Sequence, residues 1–139
     1  MAHWVKLSYE RQDYVVDLDG VSAFAWTLSG RITFWLPDSA LPIVINRQTN
    51  PRDYQTLLNY IDLAAASALG STWLRLSYDR SEYAIDLSRI RSFCYTPNNK
   101  LTFWLPDSSL PIILTQQNDP EAYQKVRDFI LRKTGQILP

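Results

Sequence analysis

The sequence predicts an α+β domain built by internal duplication: a four- to five-stranded antiparallel sheet followed by a C-terminal helix, made twice and joined as a pseudo-twofold unit. Three observations lead there. Residues 4–65 align with residues 73–134 at an offset of 69 without a gap, with around 25 of roughly 60 positions identical. Within each copy the hydrophobic period is first two and then near 3.6. The strand pattern precedes the helix pattern in both copies, which is the order of an α+β fold rather than of alternating β/α units. A period of about 70 residues present only twice does not suit a solenoid, which needs several stacked units. Two copies can instead bury matching faces against each other as a C2 dimer does. The chain of 139 residues supports one shared core more readily than two separate ones. The expectation is therefore one domain, 1–139, with repeats 1–70 and 71–139.

Each element has a local signal. Val5, Leu7 and Tyr9 alternate with Trp4, Lys6 and Ser8, and Leu74, Leu76 and Tyr78 repeat the pattern, as a half-buried strand requires. A turn near Arg11 to Asp13 returns the chain into Tyr14, Val16 and Leu18. Asp19-Gly20, matched by Ser88-Arg89, marks a bend or bulge before Val21 to Leu28, which either one kinked strand or two short ones would satisfy. Ser29-Gly30 and Asn98-Asn99 tolerate positive φ and predict tight hairpins into Ile32 to Leu36 and its counterpart. Pro42 precedes a last strand at Ile43 and Ile45, because proline is accepted at a strand's first residue. Asn50-Pro51 and Asp119-Pro120 place a capping side chain before a proline at the first helical position. Tyr54, Leu57, Leu58 and Ile61, with Tyr123, Val126 and Ile130, form the apolar stripes, and Gly70 and Gly135 are natural stops. Gly70 to Thr72 reads as a short joint between the copies.

Composition excludes several functions. Apolar residues make up 46% and charged residues 20%, a globular rather than disordered balance. Lys and Arg number 14, as do Asp and Glu, so the chain has no bulk charge to draw it to nucleic acid or an anionic membrane, and binding needs a local patch. No start resembles a signal peptide and no apolar run is long enough to span a bilayer, while Cys94 has no cysteine partner; a cytoplasmic location is expected. His3 is the only histidine and is read as an incidental residue of the terminus. Without His or Cys clusters there is no metal site and no Cys-His or Ser-His nucleophile pair. The 4 glycines build no phosphate loop, and no cofactor is indicated. Cys94, aligned with Ala25, reads as a small, partly buried residue beside Phe93. Asp17 and Asp86, identical in both copies, could share a raised pKa if they faced each other. The simpler reading is that each hydrogen-bonds the bend that follows it. No catalytic residue is assigned.

The longest identical block runs from Thr33 to Ser39, with Leu41-Pro42-Ile43, and is matched by Thr102 to Ser108 and Leu110 to Ile112. If Phe34 and Leu36 point inward, Trp35 and Thr33 project from the other face, where the first strand adds Trp4 and Lys6 by the same alternation. Trp73, Arg75, Thr102 and Trp104 repeat the set. Such a face is buried between the copies with its cations at the rim, or it anchors a protein interface, or it stacks unpaired bases. Topologically, repeats of four strands and a helix resemble the single-stranded nucleic-acid-binding fold of Whirly and PUR-repeat proteins and their relatives. That resemblance spans Trp4 to Ile61 and Trp73 to Ile130 and implies sheet faces turned outward with helices packed between them. The Lys-Gly-Lys-Ala-Ala-Leu motif of plant Whirly proteins has no counterpart here. The reading of the whole is a non-enzymatic intracellular binding or assembly module that contacts another protein, or itself, through Trp4, Trp35, Trp73 and Trp104. The alternative is a single-stranded DNA or RNA binder that uses these tryptophans with Lys6, Arg75, Arg31 and Lys100. No membrane partner is expected.

Overall fold

The computed structural model of the chain describes residues 2–37, 39, 41–65, 72–108 and 110–138. Among these, ten antiparallel strands in three sheets and two helices form an α+β fold, as the two periodicities predict. The first copy supplies β1 (Trp4–Tyr9), β2 (Gln12–Asp17), β3 (Ala23–Thr27), β4 (Arg31–Trp35), β5 (Pro42–Asn46) and α1 (Pro51–Ala65). The second supplies β6 (Trp73–Tyr78), β7 (Ser81–Asp86), β8 (Phe93–Thr96), β9 (Lys100–Trp104), β10 (Pro111–Thr115) and α2 (Pro120–Thr134). Gly70 and Ser71, read above as helix stop and joint, and Asp38 of the identical block lie outside the described residues.

Local chemistry explains the boundaries. The Asp17 carboxylate accepts the Asp19 N–H at 3.1 Å, and Asp86 accepts that of Ser88 at 3.1 Å. Each therefore caps a single 3-10 turn, Leu18–Gly20 or Leu87–Arg89, which is the bend-forming role read from the sequence. Gly30 at φ 90° and Asn99 at φ 64° occupy the left-handed region in the two predicted hairpins. At α2 the Asp119 carboxylate accepts the Ala122 N–H at 3.1 Å, Pro120 opens the helix, and Gly135 closes it in the left-handed conformation. At α1 the Asn50 amide donates to Ser8 O at 3.1 Å and to Asp53 Oδ2 at 2.8 Å, which ties the helix start to the β1–β2 hairpin.

The sheets divide each copy. Strands β1 and β2 pair only with each other, β8 to β10 form a three-stranded sheet, and the central sheet runs β5-β4-β3-β7-β6. Strand β3 of the first copy thus pairs with β7 of the second, with Ala23 opposite Ile85, Phe24 opposite Ala84, Ala25 opposite Tyr83 and Trp26 opposite Glu82. The Asp86 N–H donates to Ser22 O at 2.9 Å at the end of this ladder, and Arg89 donates to Asp19 O at 2.6 Å. Side chains cross with the strands. One core gathers Leu7, Phe24, Phe34, Ile43, Leu57 and Ile61 around Ala84, with Trp73 packed against it. The other gathers Leu76, Ile85, Phe103, Ile112 and Tyr123 around Ala23 and Ala25, with Trp35 against it. The copies exchange residues between their cores.

Candidate functional site

Strand direction sorts the sequence-derived candidates into two ends of the molecule. Arg31 and Lys100 open β4 and β9, and Trp35 and Trp104 close the same strands, about 13 Å away at the usual rise per residue. Trp4 and Trp73 begin β1 and β6, opposite Asp17 and Asp86 and away from the tight turns. The four tryptophans are distributed over all three sheets and differ in environment. Trp4 is 64% and Trp104 41% exposed. Trp35 is half-buried against the second core, and the half-buried Trp73 ring stacks on Phe24 with centroids 6.1 Å apart. Lys6 faces Asp13 at 3.9 Å. Arg75 lies over the Trp26 ring at 5.2 Å and reaches Asp62 at 3.5 Å.

The hairpin end is built by six connections. Arg31 pairs with Asn46 in the β4–β5 ladder, and the Arg47 N–H donates to Gly30 O at 2.8 Å, which joins the β3–β4 hairpin to the β5–α1 loop. The Ser8 N–H donates to Asp53 Oδ2 at 3.0 Å and brings the β1–β2 turn to the same end. The β3–β7 ladder places the β6–β7 turn beside it. In the second copy, Lys100 pairs with Thr115, so the β8–β9 hairpin and the β10–α2 loop meet in the same way, and Asp119 of that loop lines one concavity with Ser77 and Glu82 beside the β6–β7 turn. These loops carry Arg11, Arg31, Arg47, Arg80 and Lys100 together with the amides Gln48, Asn98, Asn99 and Gln116. Arg11, Arg31, Arg80 and Lys100 make no ion pair among the described residues. Several acids nearby are occupied: Asp53 holds Ser8 and Asn50, Asp119 caps α2, and Glu82 is bonded to Ser77.

Three of these cations, Arg11, Arg47 and Arg80, escaped the sequence reading, and two of them share an unusual backbone. Arg11 and Arg80 sit at φ 64° and 66°, following Glu10 at 52° and Asp79 at 49° in the two-residue turns of the first hairpin of each copy. Such turns favour Asn and Gly, and a longer side chain in this region costs roughly 1 kcal/mol or more. The identity of Arg11 with Arg80 was the signal available; its conformational cost becomes visible only with the backbone.

Other groups serve the scaffold. The Asp17 and Asp86 carboxylates are taken up by their turns, and Asp86 also accepts the Thr72 hydroxyl at 2.6 Å. The His3 N–H is bonded to Asp17 Oδ1 at 2.8 Å and its ring lies 5.0 Å from that of Tyr60, so this residue is tied down. Burial, followed by a 2.6 Å hydrogen bond to Asp19, pushes the Tyr60 hydroxyl well above the ordinary tyrosine range. Burial also raises Tyr83 and Tyr123. Cys94 is exposed, contrary to expectation, because among the described residues no strand covers the outer edge of β8 as β7 covers the matching edge at Ala25. Among the described residues no group of three or more His, Cys, Asp and Glu side chains could hold a metal ion, and no helix is long and apolar enough to cross a membrane.

No protein-family model matches the sequence. No curated protein matches it either. Among solved structures, the LytTr DNA-binding domain of a Bacillus cereus protein assigned as a methyl-accepting/DNA response regulator is similar in fold. The TM-score is 0.51 with 10% sequence identity over 88% of this chain and 95% of that domain. This corrects the Whirly and PUR-repeat resemblance. The order of strands and helix within a copy suggested that fold, but the sheet does not stay within a copy: β2 leaves β3 at the 3-10 turn, and β3 takes β7 of the other copy as its neighbour.

Proposed function

We propose that the chain is a non-enzymatic DNA-binding domain that meets duplex DNA with its hairpin end. The observation that carries this reading is the pair of turns in which Arg11 and Arg80, without ion-pair partners among the described residues, hold left-handed backbone that Gly or Asn would occupy more easily. Retained local strain is a pointer to function. Arginine and lysine supply phosphate contacts, and arginine with Asn and Gln amides is the side-chain set that reads base edges in the major groove. The fold likeness to a domain described as DNA-binding supports the same reading. Duplex rather than single-stranded DNA is favoured because Trp35 and Trp73 are packed on the cores and do not join Trp4 and Trp104 in one stacking platform.

Fluorescence anisotropy of a labelled duplex, titrated with protein at two salt concentrations, tests it. Binding should weaken with salt through counterion release. The double variant Arg11→Gly, Arg80→Gly relieves the turns instead of disrupting them, so its melting temperature should stay level or rise. Its affinity should fall at least about tenfold, and its salt slope should flatten by about two. Unchanged affinity in a folded double variant, or binding indifferent to salt, would reject this assignment. Stronger competition by a single strand than by duplex would return the role to unpaired bases.

A further inference from the structure

The junction between the copies uses two strand edges, and the molecule carries a second, unused pair of the same kind. At the junction the outer edge of β3 pairs with the outer edge of β7. By the 69-residue offset, β8 is the counterpart of β3 and β2 is the counterpart of β7. Neither β8 nor β2 has a strand on its corresponding edge among the described residues. The arrangement is therefore open, with one edge of each kind left over at opposite ends of the chain of sheets.

Side-chain environments report the same asymmetry. Phe24 and Ala84, opposite each other in the internal ladder, are 0% and 1% exposed. The counterpart of Ala84 is Val15, an aliphatic side chain 68% exposed in the middle of β2. The half-buried Trp73, stacked on Phe24, has Trp4 at 64% exposure as its counterpart, and Trp35, packed on the second core, has Trp104 at 41%. Ala23 and Ala25, buried in the junction, correspond to Ser92 and Cys94, both exposed. An apolar patch formed by Trp4, Val15, Leu36 and Pro37 lines a concavity of about 400 Å³ beside the β2 edge. Arg91, Ser92, Trp104 and Pro106 line a smaller one beside β8.

We propose that the β8 edge of one molecule pairs antiparallel with the β2 edge of a second copy of this chain, reproducing the β3–β7 junction between molecules. The junction in hand fixes the register: Phe93 opposite Val15 and Tyr95 opposite Asp13 of the second copy, as Phe24 meets Ala84 and Trp26 meets Glu82. Phe93 then covers Trp4, as Phe24 covers Trp73. Lys6 approaches Tyr95, as Arg75 approaches Trp26 at 5.2 Å. The occupant is a second copy because the matching edge is present on the same chain and its fit is already displayed inside it. Unpaired edges of this type are templates for strand addition. Because the two edges differ, the contact is heterologous and continues head to tail until rotation closes a ring.

Sedimentation equilibrium of the full chain, from micromolar to millimolar concentration, decides the matter. The wild type should rise with concentration from the 16.1 kDa of one chain to twice that mass and beyond. Val15→Lys places a charge on the β2 edge and Cys94→Lys places one on the β8 edge; both positions are exposed, so each variant should keep the wild-type circular dichroism and melting temperature. Each alone should remain a monomer. Mixed in equal amounts they should form a dimer and nothing larger, since each retains the edge that the other has lost. A wild type that stays monomeric, variants that still associate, or a mixture that stays monomeric overturns the proposal. The last outcome, with an associating wild type, would indicate a twofold contact in which both edges are needed on each partner.

Discussion

At Tyr60 one hydroxyl joins burial, a hydrogen bond and pH. It donates to Asp19 Oδ1 at 2.6 Å, in the loop that also accepts Arg89 from the second copy, and its ring meets those of Phe24 and His3. Its aligned residue is Phe129, which lacks the hydroxyl, so the bond belongs to the first copy alone. Tyr60→Phe should keep the packing and lose about 1–2 kcal/mol in a urea melt. Deprotonation is opposed in the folded state, with the pKa raised from 10.0 in Tyr60, Tyr83 and Tyr123 alike. The folded chain then holds protons that the unfolded chain releases. Stability is full below about pH 10 and falls above it, by up to about 1.4 kcal/mol per pH unit for each tyrosine. Melts between pH 8 and 11, with Tyr60→Phe less sensitive than the wild type, check the sign.

Among the elements, hairpins, bends and helix ends were the most legible, because their chemistry is local. Asp119-Pro120 and Gly135 set the ends of α2, and Gly30 and Asn99 take the positive φ that their hairpins demand. Gly30 carries a further constraint: a Cβ there would lie 2.9 Å from Arg47 Nε and 3.1 Å from Arg47 Cβ. Gly30→Ala should therefore cost about 1–2 kcal/mol. Gly30→Asn should cost less, since the second copy folds with Asn99 at the aligned position. Thermal melts of the two variants separate backbone strain from crowding against Arg47. The turns at Arg11 and Arg80 were located from the sequence, but their conformational class was not, because Glu-Arg and Asp-Arg are unusual occupants of it. Of the five cations at the hairpin end, Arg31 and Lys100 followed from their aligned place at the hairpin that enters the tryptophan strand, whereas Arg11, Arg47 and Arg80 required knowledge of which loops share an end.

For the whole molecule, duplication hides the partner of each strand. Strands β2 and β7 present the same alternation, Tyr14-Val15-Val16 and Tyr83-Ala84-Ile85, so the pattern cannot say which of them β3 will join. The size of residue 84 helps to select the non-local partner. Ala84 fits against Phe24 where both are fully buried, and the longer Val15 is left outward. This exchange should give the halves a shared stability. A fragment of residues 1–70 keeps Leu7, Phe34 and Ile43 but loses β7 from the edge of β3, and Ala84 and Trp73 from the cover of Phe24. Residues 71–139 likewise lose Ala23, Ala25 and Trp35. Each fragment alone should show a broad, non-cooperative melt and bind a hydrophobic dye, the response of a chain whose apolar surface is only partly covered. Mixed in equal amounts, the two should recover a cooperative transition and lose dye binding, because β3 and β7 complete each other. A sharp transition in either fragment alone would mean that its core closes without the exchanged residues, and would make the junction a docking contact between independent folding units.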